Sequence, residues 1–551
     1  MSDSTTLKSN KHVFKLFNYG TPKDKKMTFS LGQTIILPVN NYQKEARVSL
    51  ISKYQATGVL WLKVKSLDKD GEEIASDSIK INTKGWSKKN IFIPVLQAKA
   101  LRINIQYNGN DNPGQAIWID KVLIKIDGKD ISQQSYYSKK KEDSIAVFNS
   151  LTNKYIIPLT SGNDSTMLNN IPGLNQKRII GLGESTHGSS TIKTARYQFL
   201  KNLVLNADCK LVLLETPIDM VLTWDLYIQH KTPNGYQKEL EADARCIFGD
   251  YVQLVDFLNW LRAYNEHAIR KVHVVGIDNP VGDTNLTLFE YHLALMGKDI
   301  GKPYLKMIVE KKYNELIAYS KSDLTLKKYL NSQELEFYFS FIKNEIVLRD
   351  ASGKIFLNRD SNMAKRLTDG MNIYLEPEEK AAIHAHSAHL AYAYSEIESN
   401  EGIKAPLLGL YLRQKYADKY FSISFQIGQG KYIQDECSIL GNTILDSLKN
   451  PPPYSFEYAS LQTGLDYFYI PTKSLGDAII SYLHISRTSR YSNLYQFSPV
   501  KSRFDAFVFI RESKAIENIE LSPWRYSNNR FDERRYKMRT ISKEINIGNF
   551  L

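Results

Sequence analysis

Arg178-Ile179-Ile180-Gly181-Leu182-Gly183-Glu184-Ser185-Thr186-His187-Gly188 is the stretch whose reading decides the fold. A short apolar strand gives way to glycines, an acid and a histidine, and from Thr194 to Ala207 the apolar spacing turns helical. The next apolar run, Leu211-Val212-Leu213-Leu214, ends on Glu215. Strand, helix, strand is the unit of a parallel sheet, because a crossover helix must return the chain to the same edge. The alternation continues with an amphipathic helix over Tyr251–Arg262 and a strand over Val272–Ile277 that runs into Asp278.

Further along, residues from about 285 to 375 carry helical spacing with few strand signals and read as an insertion. Strand patterns return at Ala381–His384, Tyr420–Phe425 and Phe504–Ile510, with Pro451-Pro452-Pro453 marking a loop between them. The expected architecture over 151–515 is α/β, a mainly parallel sheet flanked by helices with a helical insertion. Beyond it, 516–551 is a basic, aromatic tail to which the sequence gives no role.

Upstream, Arg47–Ile51, Val59–Val64, Leu101–Ile105 and Ile117–Val122 alternate apolar and polar positions between turn signals. That pattern predicts a small all-β sandwich of jelly-roll type over 1–135, joined by a polar linker at 136–150. Trp61, Trp86 and Trp118 would form a sugar platform if exposed, whereas buried they belong to the core.

At 551 residues the chain has room for two or three domains, and a charged fraction of 24% argues against disorder. The net charge of +13 spreads over a long chain without any recognised nucleic-acid module, so no nucleic-acid partner is expected. Cys209, Cys246 and Cys437 are far apart and form neither a disulfide framework nor a cysteine zinc site. With no signal-like start and no run near the ~20 apolar residues of a membrane helix, the expectation is a soluble cytoplasmic protein without a membrane partner. The oligomeric state is not written in these patterns.

In open parallel sheets, sites form where loops leave the carboxyl ends of strands. Glu184 and His187 follow one strand, Glu215 ends a second, Asp278 a third, and His386 with His389 follow a fourth. His187 is the candidate general base, with Glu184 or Glu215 holding its tautomer. A buried Glu215 needs a cation, and Arg196 on the helix leaving the first loop is the expected partner. His386 and His389, three apart, share one side of a helix that starts there and are candidates for binding a substrate carbonyl or its oxyanion. Ser185 and Ser387 lack a Gly-x-Ser-x-Gly elbow, which favours activated water over a serine nucleophile.

Glu184, His187, Arg196 and Glu215 in this order, followed by His386-x-x-His389, resemble the site pattern of the erythromycin esterase family over roughly residues 175–515. One departure is Ser387, where that family often has Asn. Arg359, Asp360 and Met363 resemble a helical segment that recurs near the family's site. The resemblance implies a carboxylic ester hydrolase acting on a small-molecule ester or lactone, macrolides among the options, with no cofactor and no metal. It also implies that Glu215 and Arg196 belong to the site. Two rivals use the same residues: a metallohydrolase on the three histidines and two glutamates, and a binding protein without turnover whose sandwich recognises glycans.

Overall fold

The structure is a computed structural model and describes residues 14–17, 26–37, 45–56, 58–68, 73–82, 85–98, 100–110, 116–131, 155–159, 171–245, 251–280, 284–347, 359–394, 406–435, 443–448, 450–452, 455–476, 479, 481–485, 495–497, 500–516 and 523–548. The expected linker at 136–150, with Cys246 and Cys437, lies outside them.

Among the described residues, nine strands form the amino-terminal part: β1 (Phe14–Phe17), β2 (Lys26–Ile36), β3 (Glu45–Gln55), β4 (Val59–Leu67), β5 (Glu73–Ile81), β6 (Gly85–Pro94), β7 (Ala100–Asn110), β8 (Ala116–Ile126) and β9 (Lys129–Asp130). They make two antiparallel sheets, ordered β1-β8-β3-β6 with β9 on β8, and β2-β7-β4-β5. The period of two seen in the sequence is the packing. Ala46, Val48, Leu50 and Tyr54 of β3 face a core shared with Leu60 and Leu62 of β4 and with Ile103 and Ile105 of β7. Trp118 is buried and Trp61 half-buried, while Trp86 is exposed.

The second part holds β10 (Ile157–Pro158), β11 (Ile179–Glu184), β12 (Cys209–Pro217), β13 (His273–Asp278), β14 (Lys380–His386), β15 (Tyr420–Asp435), β16 (Thr443–Ser447), β17 (Tyr467–Pro471), β18 (Ser481–Leu483), β19 (Tyr495–Phe497) and β20 (Ala506–Ser513). One large sheet runs β10-β17-β20-β15-β11-β14-β12-β13, with β16 on β15; β18 and β19 pair separately. The expected mainly parallel sheet is in fact a mixed one. From β20 to β13 all neighbours are parallel, but β17 and β10 on one edge and β16 beyond β15 are antiparallel. Short antiparallel strands at an edge need no crossover helix, which is why period alone did not reveal their direction.

The central strands are buried on both faces, so they read as unbroken apolar runs. One face is covered by α1 (Ser190–Asn206), α2 (Ile218–Ile228), α3 (Gln237–Ala244) and α4 (Tyr251–His267), through residues such as Phe199, Leu203 and Leu258. The helical insertion follows β13: α5 (Thr284–Val309), α6 (Tyr313–Ser322), α7 (Leu326–Tyr329), α8 (Ser332–Phe341), a π-helical stretch Ile342–Val347 and α9 (Arg359–Tyr374). Leu288, Phe289, Leu367 and Met371 carry it onto the other face of the sheet. Each such side chain contributes about 1.5–3 kcal/mol on full burial. Then come α10 (Ser387–Leu390), α11 (Leu408–Tyr416), α12 (Phe456–Leu461), α13 (Val500–Arg503) and α14 (Pro523–Glu544).

The residues read as a tail include this last helix, and it is packed. Met538 and Ile541 join the core of the insertion face. Arg530 bonds Glu239 and Asp243, and Arg534 bonds Glu290.

Candidate active site

Parallel register brings the first two candidates together: Glu184 at the end of β11 lies directly opposite His386 at the end of β14. The loop that follows needs small residues. A Cβ on Gly188 would lie 1.8 Å from the Ile433 carbonyl oxygen, and one on Gly183 would lie 2.8 Å from Ser387 Oγ. Ser189 then caps α1, its side chain accepting the Ile192 N–H at 3.3 Å.

Within this loop, His187 Nδ1–H donates to Glu184 Oε1 at 2.6 Å. Two cations on one side of α1 hold the same carboxylate. Lys193 Nζ is 2.9 Å from Oε1 and 2.7 Å from Oε2, and Arg196 Nη1 is 2.6 Å from Oε2. All three of these partners are buried except His187, whose side chain is 24% exposed and so meets solvent. Burial alone would raise the Glu184 carboxyl, but Lys193, Arg196 and His187 hold it well below the usual carboxylate range. Arg196 also donates to the Leu182 and Ala385 carbonyls, tying β11 to β14.

The second carboxylate is Glu215. A register shift in β12 between Leu214 and Pro217 accompanies its turn out of the ladder, where Oε2 accepts the His386 backbone N–H at 2.6 Å. Its Oε1 meets Arg359 Nη2 at 2.9 Å and His389 Nε2 at 3.2 Å. Arg359 grips Asp278 with Nε at 2.8 Å and Nη2 at 2.6 Å, and His389 Nδ1 donates to Asp360 Oδ1 at 2.7 Å. Burial opposes charge on Glu215 as well, and His389 with Arg359 overcomes it, so this carboxyl too sits well below its usual range. For His389, burial pushes down while Glu215 and Asp360 push up, and the carboxylates win, raising the imidazole to about 10. It is therefore an imidazolium at neutral pH. Arg359 Nη1 is 2.9 Å from the same Nε2. With carboxylates on two sides the Nε2 proton is directed to Glu215, and the guanidinium is oriented chiefly by Asp278.

His386 joins the clusters. Its ring centroid is 4.7 Å from that of His187. Nδ1 accepts the Ala388 N–H at 3.1 Å and Nε2–H donates to the Ile485 carbonyl at 3.2 Å. Burial, then His187 and His484, hold it well below the usual imidazole value, so it is a neutral ring with a fixed tautomer.

Residues 330–513 match the erythromycin esterase family model. The matched segment is similar to that family and spans less than half of the chain. It contains Arg359, Asp360, His386 and His389; Glu184, His187, Arg196 and Glu215 precede it. Among solved structures, a Bacillus cereus protein is 21% identical with a TM-score of 0.49, covering 68% of this chain and 98% of its own. A protein described as a succinoglycan biosynthesis protein is 19% identical with a TM-score of 0.49, covering 69% and 99%. An erythromycin esterase variant in its open conformation is 18% identical with a TM-score of 0.43, covering 65% and 94%. No curated protein matches the chain.

In this chain the expected candidates converge, with one partner exchanged. Arg196 does not pair with Glu215: it emerges from α1 beneath β11 and reaches Glu184, while Glu215 takes Arg359 from the start of α9. Sequence distance hid that pairing, since 144 residues separate the two. His386 is also not poised as a donor to substrate, because backbone groups take both ring nitrogens. Lys193 was missed. Its signal is its place one turn before Arg196 on an otherwise apolar helix face. His384 stacks on Tyr197 with centroids 4.6 Å apart and belongs to the core.

Among the described residues, no group of three or more His, Cys, Asp or Glu side chains is arranged to hold a metal ion. The chemistry of the set agrees: Lys193 and Arg196 neutralise Glu184, and Arg359 and His389 neutralise Glu215, where a dication would have to compete. No helix among the described residues is long and apolar enough to cross a membrane.

Proposed function

We propose that this chain is a hydrolase of the carboxylic ester type that cleaves a small-molecule ester or lactone with water activated by His187. The observation that carries the reading is the 2.6 Å bond from His187 Nδ1 to Glu184. It commits the proton to Nδ1, leaving Nε2 as the basic nitrogen that takes a proton from water and returns it to the leaving oxygen. Glu184, kept anionic by Lys193 and Arg196, stabilises the imidazolium formed on the way. Arg359 and the His389 imidazolium supply positive charge beside Glu215, placed to steady the developing oxyanion or a substrate carbonyl. The neutral His386 ring forms a wall beside His187. No cofactor enters these steps. The family match supports the hydrolase class, and its name makes macrolide lactones the first substrates to try.

The test is the purified protein with chromogenic esters, simple lactones and macrolides in ¹⁸O-labelled water. One labelled oxygen in the acid product is the expected result. Binding without turnover across the panel would favour a ligand-binding protein, and turnover that disappears on chelation and returns with zinc would favour the metallohydrolase.

A further inference from the structure

A buried polar chain that the proposed chemistry leaves unused runs beneath the candidate site. At one end is Glu457, the second residue of α12, which is fully buried. Its Oε1 accepts the Leu483 amide N–H at 2.9 Å. In the amide orientation that satisfies both ends of Gln426, Gln426 Nε2 donates to the same oxygen at 3.0 Å and to the Leu483 carbonyl at 3.1 Å. Gln426 in turn accepts from Ser424 Oγ at 2.8 Å, and Ser424 lies 2.6 Å from the hydroxyl of Ser387, the residue after His386.

The 481–485 segment is the mechanical link. Glu457 and Gln426 hold it at Leu483. Two residues on, the Ile485 N–H donates to the Ser185 carbonyl at 2.8 Å, inside the His187 loop, and the Ile485 carbonyl takes the His386 Nε2 proton at 3.2 Å. Between them His484 packs its ring on that of His386 with centroids 5.1 Å apart. Both histidine loops therefore lean on a segment whose inner side is fastened to one carboxyl group.

We infer that Glu457 is a positioning residue for the candidate site, anchoring the segment whose Ile485 carbonyl fixes the His386 ring. Its own surroundings fit that role. Glu457 Oε2 has no hydrogen-bond partner among the described residues, which a neutral O–H tolerates far better than an anion. Charged and titratable neighbours on the packed elements are turned elsewhere or are neutral. Arg511 of β20 donates to the Leu461 carbonyl at the far end of α12 and pairs with Asp466, and burial keeps the Tyr495 hydroxyl of β19 protonated. Tyr432 of β15 is likewise pushed up by burial, and His484 faces His386. Burial pushes the Glu457 carboxyl up to about 8, against the hydrogen bond from Leu483 and the lesser pull of its own backbone amide and the nearby Ser455 hydroxyl. Near neutrality the anchor is an uncharged acid. As pH rises through about 8 it ionises with no cation beside it among the described residues, the segment loses its seat, and the His386 ring is released.

The kinetic arm of the test rests on the hydrolase reading; the spectroscopic arm does not. Glu457→Gln keeps the shape and stays neutral, so kcat near pH 7 is retained and the alkaline fall near 8 disappears. Glu457→Ala lowers kcat on the order of 10²-fold with KM little changed, as expected when the His187 loop, which leans on the same segment through Ser185, is displaced by about an ångström. In protein carrying ¹⁵N-histidine, the His386 Nε2–H signal should survive in wild type and Glu457→Gln and be lost to exchange in Glu457→Ala. If no substrate is turned over, the hydrolase reading falls and the signal alone decides the anchor. The inference is overturned if folded Glu457→Ala keeps the His386 signal, or if the alkaline limb persists in Glu457→Gln.

Discussion

Glu184 and Glu215 are both glutamates at strand ends, both held anionic against burial, and they are held in opposite ways. Glu184 takes its cations from within twelve positions of chain, on the helix that its own loop begins. Glu215 is served by Arg359 and His389, which arrive only after the helical insertion and the next strand. Their exposure differs too: the Arg196 side chain is 0% exposed and that of Arg359 is 41%. The first cluster is a sealed foundation under His187. The second is an assembled rim, where solvent reaches the charges, and its geometry depends on how the insertion docks.

The largest effect that would break this contrast is catalytic. His187→Ala should lower ester hydrolysis about 10²–10⁴-fold with an unchanged circular dichroism spectrum, since it removes the base and leaves the foundation. Full activity in a folded variant would move the chemistry to the rim. Next come the arginines. Arg196→Ala strands a buried Glu184 beside Lys193 and should cost ~3–5 kcal/mol of unfolding free energy by urea titration. Arg359→Ala, at a wetter site, should cost roughly 1 kcal/mol while still depressing kcat. Equal losses of stability would erase the distinction between foundation and rim.

A third test uses pH. The depressed carboxyl groups of Glu184 and Glu215 add stability above their unfolded value of roughly 4.3, and it is lost as pH falls through the lower folded value. His389 has the opposite sign. Its raised value near 10 means that its contribution is complete below the unfolded value of roughly 6.5 and is lost as pH rises toward 10. Comparing wild type with His389→Asn by denaturant unfolding at several pH values should show the extra alkaline loss only in wild type. The smallest expected effect is that of chelation: dialysis against a strong chelator should leave turnover unchanged, because arginine, lysine and imidazolium already neutralise both carboxylates.

What the sequence revealed follows the same division. The β11–α1–β12 unit was legible because its period, glycines and polar residues lie within forty positions, and the convergence of Glu184, His187, Glu215 and His386 followed from sheet geometry. The Arg196 assignment failed because helical spacing fixes which side a residue faces, not which of two nearby acids it reaches. Arg359 and Asp278 were noticed without a role, since 81 residues separate partners that meet only when α9 docks on β13. The antiparallel edge of the sheet was invisible for a related reason: β10 and β17 are short strands whose direction is set by pairing, not by their own composition. Glu457 gave no signal at all. In Ser455-Phe456-Glu457-Tyr458 it looks like an ordinary acid in a first helical turn, and only the fold shows that no cation among the described residues pairs with it.

The docking of α14 has a consequence for synthesis. Every candidate catalytic side chain has left the ribosome well before Met538 and Ile541, yet those two residues and the arginines before them complete the layer over α3 and α5. Until they emerge, the nascent chain carries a helical layer without its outer cover, with Asp243 and Glu290 lacking their guanidinium partners and an apolar face open to water. A message truncated by a late stop codon would therefore yield a chain with all its chemistry encoded and a strong tendency to aggregate. Selection against such a product would act through protein quality control, not through the reaction.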